Sequence, residues 1–399
     1  MRVLIIDMGS KMNRFGGEAR VAAQLHSKLK RYFETFYLGY ETPYLEKKNT
    51  FIIEREKLKF SKTMRTGLSE SWIMRAGYYF LAGRMHNIGI SKDEIKNVFD
   101  KVKPDIVISN SLADFPILRY AKKFYSFKSI YIDHVNLSGE TFSKFFSKNS
   151  LPFTLGTGMF GTSIASMKKK FFSFFDANVA LNLEQKEKME KLTEKVVYIP
   201  NGIAKPKKDR KARIRFLERF ALNGKFVYLF VGRMFERQKN VSTLIRAFKE
   251  LKNENIALAL VGEGPSLGEY LKIAKGDKRI IFTGPLDDNM LNGAYSASSV
   301  FILPSFWEGF SITMLEASSH GLPIIISKPA NPSDFRKEGI RLLTFDPRNY
   351  KELKSKMELI LEPKIYESAK KESKKIAKRF SEARMINDYR ELILRLSGA

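Results

Sequence analysis

The sequence predicts an α/β protein made of two doubly wound parallel-sheet domains that face each other across a cleft. Three observations carry this expectation. Short β-rich runs recur along the chain, helix-like segments separate them, and the runs are apolar throughout instead of alternating with polar residues. A parallel strand covered by helices on both faces reads that way.

The second half is the clearer. Its runs are FVYLFV (226–231), IALALV (256–261), RIIFTG (279–284), VFILP (300–304), LPIII (322–326) and IRLLTF (340–345). Between the first two lies VSTLIRAFKEL, where Val241, Leu244, Ile245, Phe248 and Leu251 fall at helical spacing. The first half repeats the rhythm with RVLIID (2–7), TFYLGY (35–40), DIVISN (105–110), SIYIDH (129–134), ANVALN (177–182) and VVYIP (196–200). The helical EARVAAQLHSKLKRY follows the first of these. Residues 41–100 and 137–170 read as less regular insertions.

PNGIAKPKKDRK (200–211) gathers proline, glycine and charge between the two sets of strands, as a linker does. The division it implies is a Rossmann-like domain over 1–200 and a second over 201–380. A chain of 399 residues holds roughly two or three domains on length alone.

Composition narrows the function. Hydrophobic residues make up 44% and aromatics 13%, enough to bury real cores. The chain has no cysteine, which excludes disulfides, thiolate nucleophiles and zinc–thiolate sites and favours a cytoplasmic setting. Its four histidines, His26, His86, His134 and His320, are not spaced as a metal pair, so no metal site is expected. The apolar run at the N-terminus is too short for a signal peptide, and no window of 18 apolar residues exists to span a bilayer. The formal charge is +27, shared as +13 over residues 1–200 and +14 over the rest. Such charge suits anionic partners, whether nucleotides, phospholipid surfaces or nucleic acid, and does not choose among them.

Two loops could carry chemistry. After the run 226–231 comes VGRMFERQKN and then a helix, so Arg233 and Lys239 sit at the carboxyl end of a strand and just before a helix N-terminus. Open α/β sheets bind ligands there, and two cations suit a diphosphate. Taken singly, each reads more plainly as a solvated loop charge. The second loop follows VFILP and reads SFWEGFSITMLEASSHGLP. Glu308 stands in the loop and Glu316 on the second turn of a helix closed by Gly321. Gly309 lets backbone come close to a ligand, and the N–H groups near Phe310 and Ser311 can hold an anionic oxygen.

These residues resemble the GT-B retaining glycosyltransferases of family 4. The resemblance rests on GRM, on a lysine six positions after its arginine, and on EGFSITMLEASSHGLP with two glutamates separated by seven residues. GGEARV (16–21), YIPNGI and LVGEGP (260–265) extend it over most of the chain. It implies that Arg233 and Lys239 bind the diphosphate of a nucleotide sugar, that Glu316 takes the ribose hydroxyls and that Glu308 takes hydroxyls of the donor sugar. Gly309, Phe310 and Ser311 would lie against sugar and phosphate, with Thr313 and Gly262 also on the donor side. Ser311 departs from the glycine common there, which bears on how closely the backbone approaches the donor. Gly16 and Gly17 would sit near donor phosphate and acceptor, and His134 near the reacting sugar. A polar residue at a strand end is the plainer reading of His134. Asp133 receives no role, and Asp287–Asp288 is not a metal site. The C-terminal helix, about 381–399, would pack back on the N-terminal domain.

By the same resemblance the chain would be a hexosyltransferase-type enzyme of class EC 2.4. It would be metal-independent, without a cofactor, and would move a sugar from a UDP- or GDP-linked donor to a hydroxyl acceptor with retention. Paired carboxylates for glycoside hydrolysis are set aside, because both glutamates would hold the donor. A nucleotide-sugar epimerase and a non-catalytic nucleotide-sugar-binding protein are the alternatives. A nucleic-acid-binding protein finds no recognition motif. Around the acceptor the sequence says less. Residues 119–175 carry a local +7, and KKKFFSFF within them reads either as a basic, aromatic surface for an anionic membrane or as a buried helix with its lysines in solvent. Peripheral attachment to the inner face of the cell membrane, for a lipid-linked glycan or envelope glycoconjugate acceptor, is the functional form of the first reading.

Overall fold

The computed structural model describes residues 1–9, 16–53, 89–134, 136–137, 163–207 and 209–398. The chain divides into two compact units, residues 1–200 with 386–399, and residues 201–385.

In the first unit, β1 (Arg2–Asp7), β2 (Glu34–Gly39), β3 (Thr50–Ile52), β4 (Ile106–Ser109), β5 (Lys128–Ile132), β6 (Ala177–Ala180) and β7 (Val196–Tyr198) form one sheet in the order β3-β2-β1-β4-β5-β6-β7. Every pairing is parallel. The helices described are α1 (Gly17–Leu29), α2 (Lys92–Val102), α3 (Phe115–Ala121), α4 (Ser163–Phe174) and α5 (Leu183–Glu190). Val3 to Ile6 and Ile106 to Ile108 are wholly buried, as expected of strands covered on both faces.

Two expectations change here. Residues 41–100 are not uniformly irregular: they contribute the edge strand β3 and the helix α2. That helix opens on a capping box, with Ser91 Oγ accepting from Glu94 N–H and the Glu94 carboxylate accepting from Ser91 N–H. Likewise α4 already begins at Ser163, inside the second supposed insertion. Its end settles KKKFFSFF. Phe171, Phe172 and Phe175 are buried in the core against Phe115 and Tyr131; Lys169 and Lys170 are exposed, but Lys168, expected in solvent, is buried. These phenylalanines are core residues and not a membrane face, because edge-to-face ring packing gives them a better apolar home than a lipid surface. The remainder of the basic, aromatic stretch, 138–162, lies outside the described residues.

In the second unit, β8 (Phe226–Val231), β9 (Ile256–Val261), β10 (Ile280–Gly284), β11 (Val300–Leu303), β12 (Ile324–Ser327) and β13 (Leu343–Phe345) run parallel in the order β10-β9-β8-β11-β12-β13. The helices are α6 (Arg210–Arg219), α7 (Glu236–Lys239), α8 (Val241–Lys249), α9 (Leu267–Ala274), α10 (Asp288–Ala297), α11 (Ile312–Ser319), α12 (Ser333–Lys337), α13 (Tyr350–Leu359) and α14 (Pro363–Arg379). A last helix, α15 (Glu382–Ser397), passes from this unit into the first, where the Arg390 guanidinium lies 5.2 Å over the Tyr32 ring. Both sheets reverse strand order once, between β1 and β4 and between β8 and β11. Ligand crevices of doubly wound sheets open at the carboxyl ends of such strands.

Candidate functional site

In the second unit the switch point brings two loops together. One leads from β8 into α7, the other from β11 into α11, and they are joined by hydrogen bonds. Phe306 N–H donates to the Gln238 carbonyl at 2.7 Å, and Asn240 Nδ2 donates to the carbonyls of Pro304 (3.1 Å) and Pro347 (2.7 Å). Asn240 stands at φ 50°, ψ 41° between α7 and α8, a left-handed conformation that asparagine tolerates. Spacing alone does not single it out, yet it fixes where Lys239 begins.

Lys239 Nζ lies 2.7 Å from Glu308 Oε1, with the two side chains only 14% and 9% exposed. Ser305 Oγ donates to the same oxygen at 2.6 Å. Glu308 Oε2 makes no hydrogen bond among the described residues. Arg233, in the first loop, stacks 5.6 Å from the Phe235 ring, and burial pushes its guanidinium pKa down. It forms no ion pair among the described residues, so its charge is available at the mouth of the site.

The other loop feeds a helix N-terminus. Ser311 is the N-cap of α11: its φ is −65°, and its Oγ accepts from Met314 N–H at 3.3 Å and lies 3.1 Å from Thr313 Oγ1. Serine fits this position, because the conformation does not demand glycine. With Met314 N–H taken by the cap, the N–H groups of Ile312 and Thr313 remain to receive an anionic oxygen. Phe310 is buried against Phe335 and Phe380, so only its backbone can serve a ligand. Its carbonyl accepts from Asn201 Nδ2 at 2.9 Å, a bond to the segment NG (201–202) that the sequence marks only as linker.

Glu316 is 6% exposed, and its Oε2 accepts from the Tyr295 hydroxyl at 2.7 Å. Tyr295 stacks on His320, whose imidazole burial pushes down to about 4. The two glutamates are thus held differently, Glu308 by a cation and Glu316 by a phenol. Gly262, at φ +127°, lies against Gly232; an added Cβ would stand 2.1 Å from the Gly232 carbonyl oxygen. Its immediate partner is the backbone that leads to Arg233. Asp287 caps α10 by accepting from Met290 N–H at 2.8 Å.

The first unit has its own switch-point cluster at the ends of β1, β4 and β5. Gly16 is the N-cap of α1 and Gly17 its first residue. His134 Nε2 lies 3.0 Å from Asn110 Oδ1, and burial pushes the imidazole down to about 3. Asp133 now has a role. Its Oδ1 accepts from Leu137 N–H at 2.9 Å and from the Tyr131 hydroxyl at 3.4 Å, and its carbonyl accepts from Gln185 Nε2 at 2.6 Å. It shapes the turn that carries His134. The Glu18 carboxyl, beside Gly9, is pushed up to about 8 by burial and by the charges of Asp7 and Asp133.

The family model for group 1 glycosyl transferases matches residues 225–363, which contain both loops of the second unit. That stretch is similar to glycosyltransferase group 1. Among curated proteins, the chain is 34% identical over 148 residues to the UDP-Gal:alpha-D-GlcNAc-diphosphoundecaprenol alpha-1,3-galactosyltransferase of Escherichia coli, covering 33% of this chain and 36% of that one. It is 31% identical over 132 residues to the GDP-mannose-dependent alpha-(1-6)-phosphatidylinositol monomannoside mannosyltransferase of Mycolicibacterium smegmatis, covering 30% and 34%. The matches thus span about a third of the length of these relatives. Over nearly its whole length the chain is similar in fold to sucrose-phosphate synthase of Thermosynechococcus elongatus (TM-score 0.74, 15% identity, 99% of each chain covered). It is also similar to HepE of Anabaena in complex with UDP and glucose (TM-score 0.70, 14% identity, 98% and 99% covered). The fold is GT-B.

Proposed function

We propose that this chain is a retaining, metal-independent glycosyltransferase of the hexosyltransferase type, which transfers a sugar from a UDP- or GDP-linked donor to a hydroxyl acceptor. The observation that carries the reading is the pair of cations at the switch point, Lys239 half-neutralised by Glu308 and Arg233 without an ion pair among the described residues. A diphosphate arriving there meets Arg233 and Lys239 on one side and the N-terminus of α11 on the other. Charge that develops on the leaving diphosphate is stabilised by groups already in place. Those cations supply what a divalent metal supplies in other transferases. Glu308, with Oε1 committed to Lys239 and Ser305, offers Oε2 to hydroxyls of the donor sugar. Glu316 on α11 is the residue for the ribose, and His134 the one beside the reacting sugar.

The named activities of two relatives support the acceptor class, since one acts on a diphosphoundecaprenol-linked sugar and the other on a phosphatidylinositol mannoside. On that basis the acceptor is a lipid-linked glycan or related envelope glycoconjugate, reached from the inner face of the membrane by peripheral attachment. Their donors are UDP-Gal and GDP-mannose, so both bases belong in the assay.

The decisive variant is Arg233→Ala. It breaks no ion pair among the described residues and is expected to leave the fold intact. Transfer from the preferred donor should fall by about a hundredfold or more in kcat/KM, the usual scale for losing one preorganised stabiliser of transition-state charge. Near-normal turnover in Arg233→Ala would sink the assignment.

A further inference from the structure

We infer that Asn110 is a positioning residue that holds His134 in the Nε2–H tautomer, leaving Nδ1 as the acceptor nitrogen, so that His134 meets a hydroxyl of the reacting sugars and not the diphosphate. The inference rests on the proposed function only for what His134 meets. The tautomer itself follows from the network.

Asn110 directly follows β4, is wholly buried, and is anchored by its own N–H donating to the Ile6 carbonyl at 3.0 Å. Its side chain has two partners. Nδ2 donates to the Glu18 carbonyl at 3.0 Å, and Oδ1 stands 3.0 Å from His134 Nε2. The carbonyl oxygen of Glu18 can only accept, so it decides which way the amide faces. Turning the amide over would set two acceptors 3.0 Å apart in a buried place and lose a hydrogen bond as well. With the amide thus fixed, its oxygen faces the imidazole, and an oxygen there requires a proton on Nε2.

The backbone that carries the ring is fixed as well. His134 N–H donates to the Ile132 carbonyl at 3.1 Å, and the turn after it is closed by Asp133 on Leu137 and by Gln185 on the Asp133 carbonyl. Burial favours the uncharged ring, and an uncharged ring protonated at Nε2 carries its lone pair on Nδ1. A nitrogen of that kind accepts from a hydroxyl and has nothing to offer a phosphate oxygen. Asn110 therefore ties the start of α1, in GGEARV, to the end of SIYIDH, two segments far apart in sequence.

The chain has only four histidines, so its ring nitrogens can be observed directly. The experiment is 15N NMR of the full chain labelled in the histidine rings, with His134→Gln to assign the signal. At pH 7 His134 should show a protonated Nε2 and an unprotonated Nδ1. Asn110→Ala should shift both resonances toward a mixture of tautomers. Asn110→Asp, which keeps an acceptor oxygen in place, should retain the Nε2–H pattern. A wild-type ring protonated at Nδ1, or at both nitrogens, would overturn the inference even if every variant failed to fold. So would an unchanged pattern in folded Asn110→Ala. These signals do not depend on transfer activity, so failure of the proposed function and failure of this inference are separate results. If the function holds, Asn110→Ala should lower kcat/KM tenfold or more while nucleoside diphosphate affinity stays within twofold, since the diphosphate is held in the other unit.

Discussion

Glu18 is a residue whose protonation the fold displaces strongly. It lies in the first turn of α1, its carboxyl beside Gly9, where a Cβ would stand 2.7 Å from Oε2. Burial first, then the neighbouring Asp7 and Asp133, raises it from 4.5 to about 8, so the folded chain holds a proton there that the unfolded chain gives up. The sign comes from linkage. Its contribution is fully present below about pH 4.5, falls as pH rises, and is gone above about pH 8. Glu18→Gln should therefore be more stable than the parent at pH 9, with the difference shrinking toward pH 5, read as urea midpoints across that range. A difference independent of pH would contradict the assignment. Gly262 makes the second prediction at this scale. Gly262→Ala adds a Cβ 2.1 Å from a backbone oxygen at φ +127°, so the loop to Arg233 must move. The expected cost is about 1–3 kcal/mol, measured by urea unfolding, with weaker nucleotide binding. The residues proposed to meet a ligand stand in a pattern the sequence shows, and those that orient them do not. Arg233, Lys239, Glu308 and Glu316 stand in a spaced pattern around two loops, whereas Asn110, Asn201 and Asn240 are single asparagines whose partners lie 92, 109 and up to 107 residues away.

At the scale of elements, the apolar runs located the strands, and β8 and β9 coincide with FVYLFV and IALALV residue for residue. Departures occur where local bonds compete with the ladder. Leu322 donates to the Ala317 carbonyl and so closes α11, which delays β12 to Ile324. Ile340 donates back to Phe335 and Arg341 to Glu372, which leaves β13 only Leu343 to Phe345. β3 has three residues and no period to read, while α2 is announced only by S-x-x-E, a signal that lies outside the apolar runs. The C-terminal end of α4 offers the sharpest prediction. Phe171 is 1% exposed and packs 4.8 Å from both Phe115 and Tyr131. Phe171→Ala should cost about 3–5 kcal/mol in urea unfolding, the usual range for emptying an aromatic core site. Vesicle binding of the folded variant should be unchanged; a loss of binding without a loss of stability would restore this phenylalanine to a lipid-facing role.

For the whole molecule, the question is what a formal charge of +27 does, and burial separates its parts. Lys239 is 14% exposed, and screening by salt acts weakly on cations so placed. The opposite case is α14, which turns Lys364, Lys371, Lys374, Lys375, Lys378 and Arg379 to solvent. Each such cation near an anionic lipid surface contributes about 1 kcal/mol, and salt removes that contribution. The two kinds of charge should therefore part company in one titration. With UDP or GDP at a hundred times its dissociation constant, bound nucleotide stabilises the fold by about 2.7 kcal/mol and raises the midpoint of thermal unfolding. That rise should persist from 0.05 to 0.5 M NaCl, and it should disappear in Arg233→Ala. Over the same range, co-sedimentation with vesicles containing phosphatidylglycerol should fall away, and reversing Lys371, Lys374 and Lys378 to glutamate should weaken it at low salt without touching the nucleotide shift. If instead the nucleotide shift collapsed with salt while vesicle binding survived, the diphosphate would belong on the exposed charges, and the buried pair at the switch point would lose its role.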